Sequence, residues 1–369
     1  MREILDRIRL RPLYCVWEIT SQCNMRCLHC ASNLGESDRP RGEELSSSEC
    51  LRVCRELAEL GCGKLVLSGG EAVLRPDWED IAREAIRLGM FVSLITNGFL
   101  IDKALARRMR EAGLCRVAIS LDGLEPTHNR MRRNPRSFER AMDAIAFLRE
   151  EGLPVNAVTH ANRDNLAELP ALEKLLAEAG IDVWRIQFGV PLGRMRKYPE
   201  LVLRPEDLPA LADFLVAAKK RSLVTISVGD NIGYFSHHEP ELRAARESGK
   251  LPFWSGCYAG CLSVGIESNG NVKGCLSLQS DEFVEGNVKR NPLREIWERP
   301  GAFAYTRGFE VKSLAGACEG CEYGEVCRGG CTFLAFATSG RCHDNPYCLH
   351  RICGTSPALR AALEGTGSA

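Results

Sequence analysis

Between residues 14 and 190, short apolar, β-branched runs alternate with amphipathic stretches of helical period. The runs read "YCVWEIT", "KLVLSGG", "FVSLITNG", "CRVAISLDG", "PVNAVTH" and "VWRIQF". Each is short enough for a strand, and each stretch between them is long enough for a helix. Helix starts are marked by Ser46, three residues before Glu49 as a capping box, and by Ser137 opening "SFERAMDAIAFLREE". Gly61, Gly89, Gly113, Gly152 and Gly180 stand where left-handed helix stops are expected. Strict alternation of strand and helix implies a parallel sheet with right-handed crossovers. Six such units predict an α/β fold in the form of a curved partial barrel, and an open doubly wound sheet shares the pattern.

Polar motifs follow the first four runs. They are a loop with three cysteines, then "GGE" (Gly69–Glu71), "TNG" (Thr96–Gly98) and "SLDG" (Ser120–Gly123). In parallel barrels and sheets the site forms at the C-terminal ends of the strands, so these motifs are expected to converge on one face. Residues 191–256 are less regular, with one helix candidate, "PEDLPALADFLVAAKKR", and one strand candidate, "LVTISVG". Beyond them hairpin signals dominate, such as the Asn269–Gly270 turn in "VGIESNGNVKGC". The expected layout is an N-terminal extension (1–13), a barrel (14–190), a bridge (191–256), a cysteine-rich domain (257–353) and a tail (354–369). The last residues of the tail, "EGTGSA", are expected to be disordered.

Composition sharpens this picture at one point. Charge balances at 48 basic and 48 acidic residues, so nothing points to nucleic acid or to an anionic membrane. No apolar run approaches the roughly 20 residues of a membrane span, and the charged "MREILDRIRLRPLY" is no signal peptide. A cytoplasmic location is expected. There the 18 cysteines would stay reduced, which directs attention to metal. Ten of them fall between Cys257 and Cys353, and that shift in composition sets the last domain boundary.

Cys23, Cys27 and Cys30 lie within "CNMRCLHC" at the end of the first strand. The spacing suits three corners of a cubane cluster, leaving the fourth iron to a non-protein ligand; as a zinc site it lacks a ligand. The loop resembles the signature of the radical S-adenosylmethionine (SAM) superfamily, with His29 where the family usually has an aromatic residue. The resemblance implies that Cys23, Cys27 and Cys30 hold a [4Fe–4S] cluster whose open iron chelates SAM. Reductive cleavage would then give a 5′-deoxyadenosyl radical. It also implies that Gly69, Gly70 and Glu71 meet the methionine amino group and that Asn97 and Ser120 contact ribose and carboxylate. Arg132 would pair with the carboxylate, and Val190 or Leu192 would pack on adenine.

The far cysteines resemble the SPASM domain, which carries two auxiliary iron–sulfur clusters. By that resemblance one cluster uses Cys257, Cys261, Cys275 and Cys331, and the other Cys318, Cys321, Cys327 and Cys348. Cys342 and Cys353 are possible substitutes in the first set, and two zinc ribbons share the C-x2-C spacing. The implied fold is a partial (β/α)6 TIM-like barrel followed by a small cysteine-rich SPASM domain with β-hairpins. The implied cofactors are SAM and three [4Fe–4S] clusters. Cys15, Cys50, Cys54, Cys62 and Cys115 read as small buried hydrophobes.

The opening motif is most similar to the mycofactocin and pyrroloquinoline quinone maturation enzymes. The expected activity is modification of a ribosomally made peptide by cross-linking, epimerisation or oxidation. Expected partners are the peptide and a reductant such as flavodoxin or ferredoxin; because about 13 residues precede the first strand, a separate leader-binding protein or a leaderless mode is expected as well. Sulfatase maturation is disfavoured, since Leu276 replaces the acidic residue which that group carries after the matching cysteine. The alternative is radical dehydrogenation of a small molecule such as a sugar alcohol; a non-enzymatic iron–sulfur carrier or zinc scaffold leaves "GGE" unexplained. For the general acid or base the sequence offers Asp230, His237 and His238 in the bridge, each read first as a surface or hydrogen-bonded structural residue.

Overall fold

A computed structural model describes residues 10–32, 43–244 and 253–354. The "EGTGSA" tail and most of the N-terminal extension lie outside them. Strands β1 (Tyr14–Glu18), β2 (Lys64–Ser68), β3 (Phe91–Thr96), β4 (Arg116–Ser120), β5 (Val155–Ala161) and β6 (Val183–Phe188) match the six apolar runs. Helices α1 (Ser47–Glu59), α2 (Trp78–Arg87), α3 (Lys103–Glu111), α4 (Glu125–Arg132), α5 (Ser137–Glu150) and α6 (Leu169–Glu178) fall between them. Helix α7 (Leu208–Arg221) and strand β7 (Thr225–Val228) occupy the two candidates seen in the bridge, and β7 pairs in parallel with β6. The fold is α/β with a parallel sheet, built from six successive β/α units.

Two compact units divide the chain. The first takes residues 1–120, 129–156 and 258–308, the second 121–128, 157–257 and 309–369. In the first unit β1 through β4 lie side by side in parallel, and a further strand, β8 (Ser263–Ile266), adds in parallel to the free edge of β1. Trp17, Trp78 and Trp297 are fully buried in its core. Strand β8 turns back into β9 (Asn271–Lys273), which β10 (Gly286–Asn287) continues antiparallel. The Asn269–Gly270 signal marks this hairpin, but as a three-residue loop. The amide of Gly270 donates to the Glu267 carbonyl at 2.9 Å, Gly270 has φ 92°, and Glu267 N donates to Asn271 O at 2.9 Å. That is a type I turn closed by a glycine bulge.

Local signals were obeyed with one exception. Ser46 and Glu49 form the reciprocal capping box, with Ser46 N donating to Glu49 Oε2 at 2.7 Å. The five expected helix-stop glycines all have φ between 71° and 88°. Ser137, however, is the first helical residue, not the cap. Its hydroxyl donates to Asn129 Oδ1 and Asn134 O, and Asn129 Oδ1 accepts from the amide of Phe138 at 2.9 Å. A side chain eight residues upstream thus does the capping, which a local motif cannot reveal.

In the second unit β5, β6 and β7 lie side by side, and one polar chain runs through their core. Trp184 Nε1 donates to Thr159 Oγ1 at 2.7 Å, and that hydroxyl donates to the Leu121 carbonyl at 2.5 Å. Both side chains are fully buried. A Thr159→Val variant keeps the shape but orphans a buried donor and a buried acceptor, each costing about 1–3 kcal/mol. The urea midpoint is therefore expected to fall clearly for Thr159→Val and much less for Thr159→Ser.

Candidate functional site

The cysteine loop is held by backbone before any cofactor enters. The β1–β2 ladder continues past both strands: Ile19 N donates to Ser68 O (3.0 Å), Gly70 N to Thr20 O (2.9 Å) and Glu71 N to Gln22 O (2.8 Å). At this range side chains do not fit. A Cβ on Gly69, where φ is 154°, would stand 2.5 Å from Thr20 O; one on Gly70 would stand 2.3 Å from Gln22 O and 2.8 Å from Cys23 Cβ. The two glycines are thus required by close approach of the chain's own cysteine loop.

Charged side chains complete the clamp. Glu44 Oε1 accepts from Thr20 Oγ1 (2.9 Å), Ser21 N (2.7 Å) and Ser21 Oγ (2.9 Å). Arg75 is buried, donates to the carbonyls of Ile19 and Leu45 at 2.9 Å each, and pairs with Asp77 at 2.7 Å. Asn97 reaches the loop from the end of β3, its Nδ2 donating to Asn24 Oδ1 at 2.8 Å. At the end of α4, Met131 O accepts from Leu28 N at 2.9 Å, and Arg132 Nη1 donates to Cys27 Sγ at 3.7 Å. Glu44, Arg75 and Asn24 were not singled out from sequence. The only signal was an arginine four residues after "GGE" in an otherwise apolar turn.

Glu71 is 1% exposed, and burial pushes its carboxyl up to about 7 against the Asn97 amide, which donates to Oε2 at 2.8 Å. Its Oε1 has no hydrogen-bond partner among the described residues. An orphaned buried carboxylate oxygen is the fit expected of a site that receives an ammonium group. Beside it Cys23 is pushed up to about 12 by burial, with Cys27, Glu71 and Cys30 near enough to add to the effect. Three thiols, a buried carboxyl and the buried Arg132 guanidinium thus meet at one end of the first unit's strands. Ser120 ends β4 in the same unit, half-buried. Val190 and Leu192 are buried in the second unit just after β6. Asp122 of "SLDG" is a structural hub instead. Its carboxylate accepts from His160 N, its carbonyl from Asn165 Nδ2, and its amide donates to His128 Nδ1.

Among the far cysteines, Cys318, Cys321, Cys327 and Cys348 come together in the second unit. Burial raises the thiols of Cys318, Cys327 and Cys348, and each of the three feels others of the set. Cys261 and Cys275 belong to the first unit, Cys257 and Cys331 to the second. A glycine precedes each of Cys261 and Cys275: a Cβ on Gly274 would stand 2.5 Å from Gly260 N, and one on Gly260, where φ is 71°, would run into the Phe303 side chain. Cys15, Cys50, Cys54 and Cys62 are buried, the last three with thiols pushed up to about 11–12, and Cys115 is half-buried. His238 and Asp230 make polar contacts of their own: His238 Nε2 meets Asp213 Oδ1 at 2.8 Å, and Asp230 pairs with Arg185 at 3.7 Å. Among the described residues no helix is long and apolar enough to cross a membrane.

A parallel β/α array with a three-cysteine loop clamped against Gly69–Glu71 defines a SAM-dependent iron–sulfur enzyme. The family model of the radical SAM superfamily matches residues 17–176, and that of an iron–sulfur cluster-binding domain, SPASM, matches residues 257–322. The chain belongs to the radical SAM superfamily, in its SPASM-bearing branch. It is 32% identical to the AdoMet-dependent heme synthase of Methanosarcina barkeri, over 92% of this chain and 97% of that protein. The Fe-coproporphyrin III synthase of the same organism is 29% identical (90% and 86% covered). Mycofactocin maturase MftC of Mycobacterium tuberculosis is 31% identical (89% and 80%). In fold, the chain resembles Streptococcus suis SuiB bound to S-adenosylmethionine, with TM-score 0.73, 17% identity and 93% and 78% covered. It also resembles anSMEcpe with bound AdoMet and a peptide (0.71, 20%, 96% and 99%).

Two outcomes test the clamp. Gly70→Ala is expected to push the cysteine loop off β2, so that the reconstituted variant holds about four irons fewer per chain than wild type by elemental analysis. Glu71 gives a pH effect in the cofactor-free chain. Burial moves its carboxyl from an ordinary 4.5 up to about 7 in the folded chain, so the folded state holds the extra proton between them. Stability therefore falls as pH rises through that window, by about 3 kcal/mol in all. Glu71→Gln should flatten this slope in denaturant titrations at pH 5 and pH 8.

Proposed function

We propose that this chain converts a tetrapyrrole precursor into heme or a heme-like product by radical SAM chemistry. The supporting observation is the end-to-end likeness to a heme synthase, at 32% identity over 97% of that protein's length. The match to an Fe-coproporphyrin III synthase over most of both chains adds to it. Fe-coproporphyrin III and heme differ at two side chains, propionate in one and vinyl in the other. Each conversion removes one hydrogen atom, one CO2 and one electron from an unactivated carbon chain, a task suited to a radical.

In this reading Cys23, Cys27 and Cys30 hold the [4Fe–4S] cluster of the active site. Gly69, Gly70, Glu71, Asn97, Ser120, Arg132, Val190 and Leu192 hold SAM. Two further clusters take Cys257, Cys261, Cys275 and Cys331, and Cys318, Cys321, Cys327 and Cys348. When bound, cluster and SAM supply a 5′-deoxyadenosyl radical. The chain's own residues bind and orient. Glu71, ionised, offers Oε1 to an ammonium group, and Arg132 places a positive charge beside the Cys27 sulfur. The second reading, peptide maturation with a separate leader-binding partner, is supported by the 31% identity to MftC. Either reading takes a reductant such as flavodoxin or ferredoxin and a cytoplasmic setting.

Anaerobically loaded enzyme, given SAM, dithionite and Fe-coproporphyrin III, is expected to form two 5′-deoxyadenosines and two CO2 per heme. If the porphyrin returns unchanged while a candidate peptide gains a modification, the tetrapyrrole reading fails and the peptide reading stands.

A further inference from the structure

Outside the cysteine sites, the described residues hold one group of three metal-type ligands, Asp213, His237 and His238. Their ligand atoms all lie within 4.8 Å of one another, and all three belong to the second unit. His238 is 5% exposed, whereas Asp213 and His237 face solvent. His238 Nε2 stands 2.8 Å from Asp213 Oδ1. Tetrahedral ligands at ~2.0–2.1 Å from one zinc ion are about 3.4 Å apart, so exposed Asp213 has only to swing back by a fraction of an ångström to admit the ion. The His237 ring lies beside the His238 ring, centroids 3.8 Å apart and planes 35° apart.

Consecutive residues in extended backbone point their side chains apart. These two face the same way because 236–239 is a turn, Glu239 N donating to Ser236 O at 3.0 Å. The turn is over-determined by its surroundings. Tyr234 and Phe235, both buried, have φ 82° and 56°, a conformation that costs non-glycine residues of order 1–3 kcal/mol each. Glu239, fully buried, locks them by accepting from Tyr234 N and Trp254 N at 2.8 Å each. Ser236 Oγ lies 3.5 Å from His238 Nδ1, where it can accept from Nδ1–H once Nε2 gives up its hydrogen bond to Asp213 for a metal ion.

We propose that Asp213, His237 and His238 form a site for one divalent metal ion of the zinc type, with water completing its shell. Buried His238 is the fixed ligand, and the two exposed side chains close on the ion by small rotamer changes. The ion is structural: it ties α7, through Asp213, to the loop carrying Tyr234. That loop in turn supports two of the far cysteines. Tyr234 Oη accepts from Cys331 N at 3.2 Å, and Cys348 Sγ lies 3.8 Å from Tyr234 O. Gly233 O accepts from Leu349 N at 3.1 Å.

The test uses the full-length, cluster-loaded enzyme and Zn2+ as probe, titrated against a chromophoric chelator. One Zn2+ per chain is expected, with binding weakened at least tenfold in His237→Ala and Asp213→Asn and unchanged in the control Asp230→Asn. His237 and Asp213 are exposed, and an iron content equal to wild type shows that the variants fold. Zinc-edge X-ray absorption should show nitrogen and oxygen neighbours near ~2.0–2.1 Å. A sulfur-only shell would mean zinc in vacated cluster sites and would overturn the proposal. Equal zinc affinity in wild type and His237→Ala, or none in either, would also overturn it.

Discussion

The site depends on how closely two backbone segments run after their strands have ended. Three amide–carbonyl bonds carry the β1–β2 ladder from Ile19 to Gln22 on one side and from Ser68 to Glu71 on the other. The ladder sets the position of Cys23 relative to the Glu71 carboxyl, because both leave the same pair of extended segments. The lack of a Cβ at two consecutive positions makes the approach possible. Glu44 and Arg75 then neutralise the polar groups that such a sharp exit would leave bare. A loop fixed in this way loses little entropy when it takes up a cofactor, so its thiols are presented in advance.

Charge in this region is arranged around burial. A carboxyl titrating near 7, a thiol far above its usual range and a buried guanidinium share one end of the strands. Each is costly alone in such a place, and each becomes favourable when an opposite charge arrives. An oppositely charged group that binds there therefore recovers that cost. The same logic applies at Cys318, Cys327 and Cys348, whose raised thiols disfavour the bare thiolates.

The repeating part of the fold was legible because period and punctuation agreed. Six apolar runs became β1 to β6, and the glycine stops fell as marked. The motifs "CNMRCLHC" and "GGE" marked the site for the same reason: their chemistry lies in residue type and spacing. What escaped was long-range. Asn129 caps α5 from another segment, Glu44 and Arg75 act across 31 residues, and the pair of histidines faces one way only because of a turn fixed by Glu239. Substrate identity escaped as well, since the motifs read for SAM and iron carry no signal for it.

The placement of β8 bears on how the chain is made. Tyr14 pairs with Ser263, so the edge of β1 stays open until about 250 further residues have emerged. At ~5–20 residues per second that is roughly 12–50 seconds with an exposed, apolar parallel edge on the nascent chain. The segment that closes it also carries Cys261 and Cys275, so the late hairpin both seals the sheet and delivers two thiols. Cys261 and Cys275 therefore reach their place only as the edge closes, long after Cys23, Cys27 and Cys30 have emerged.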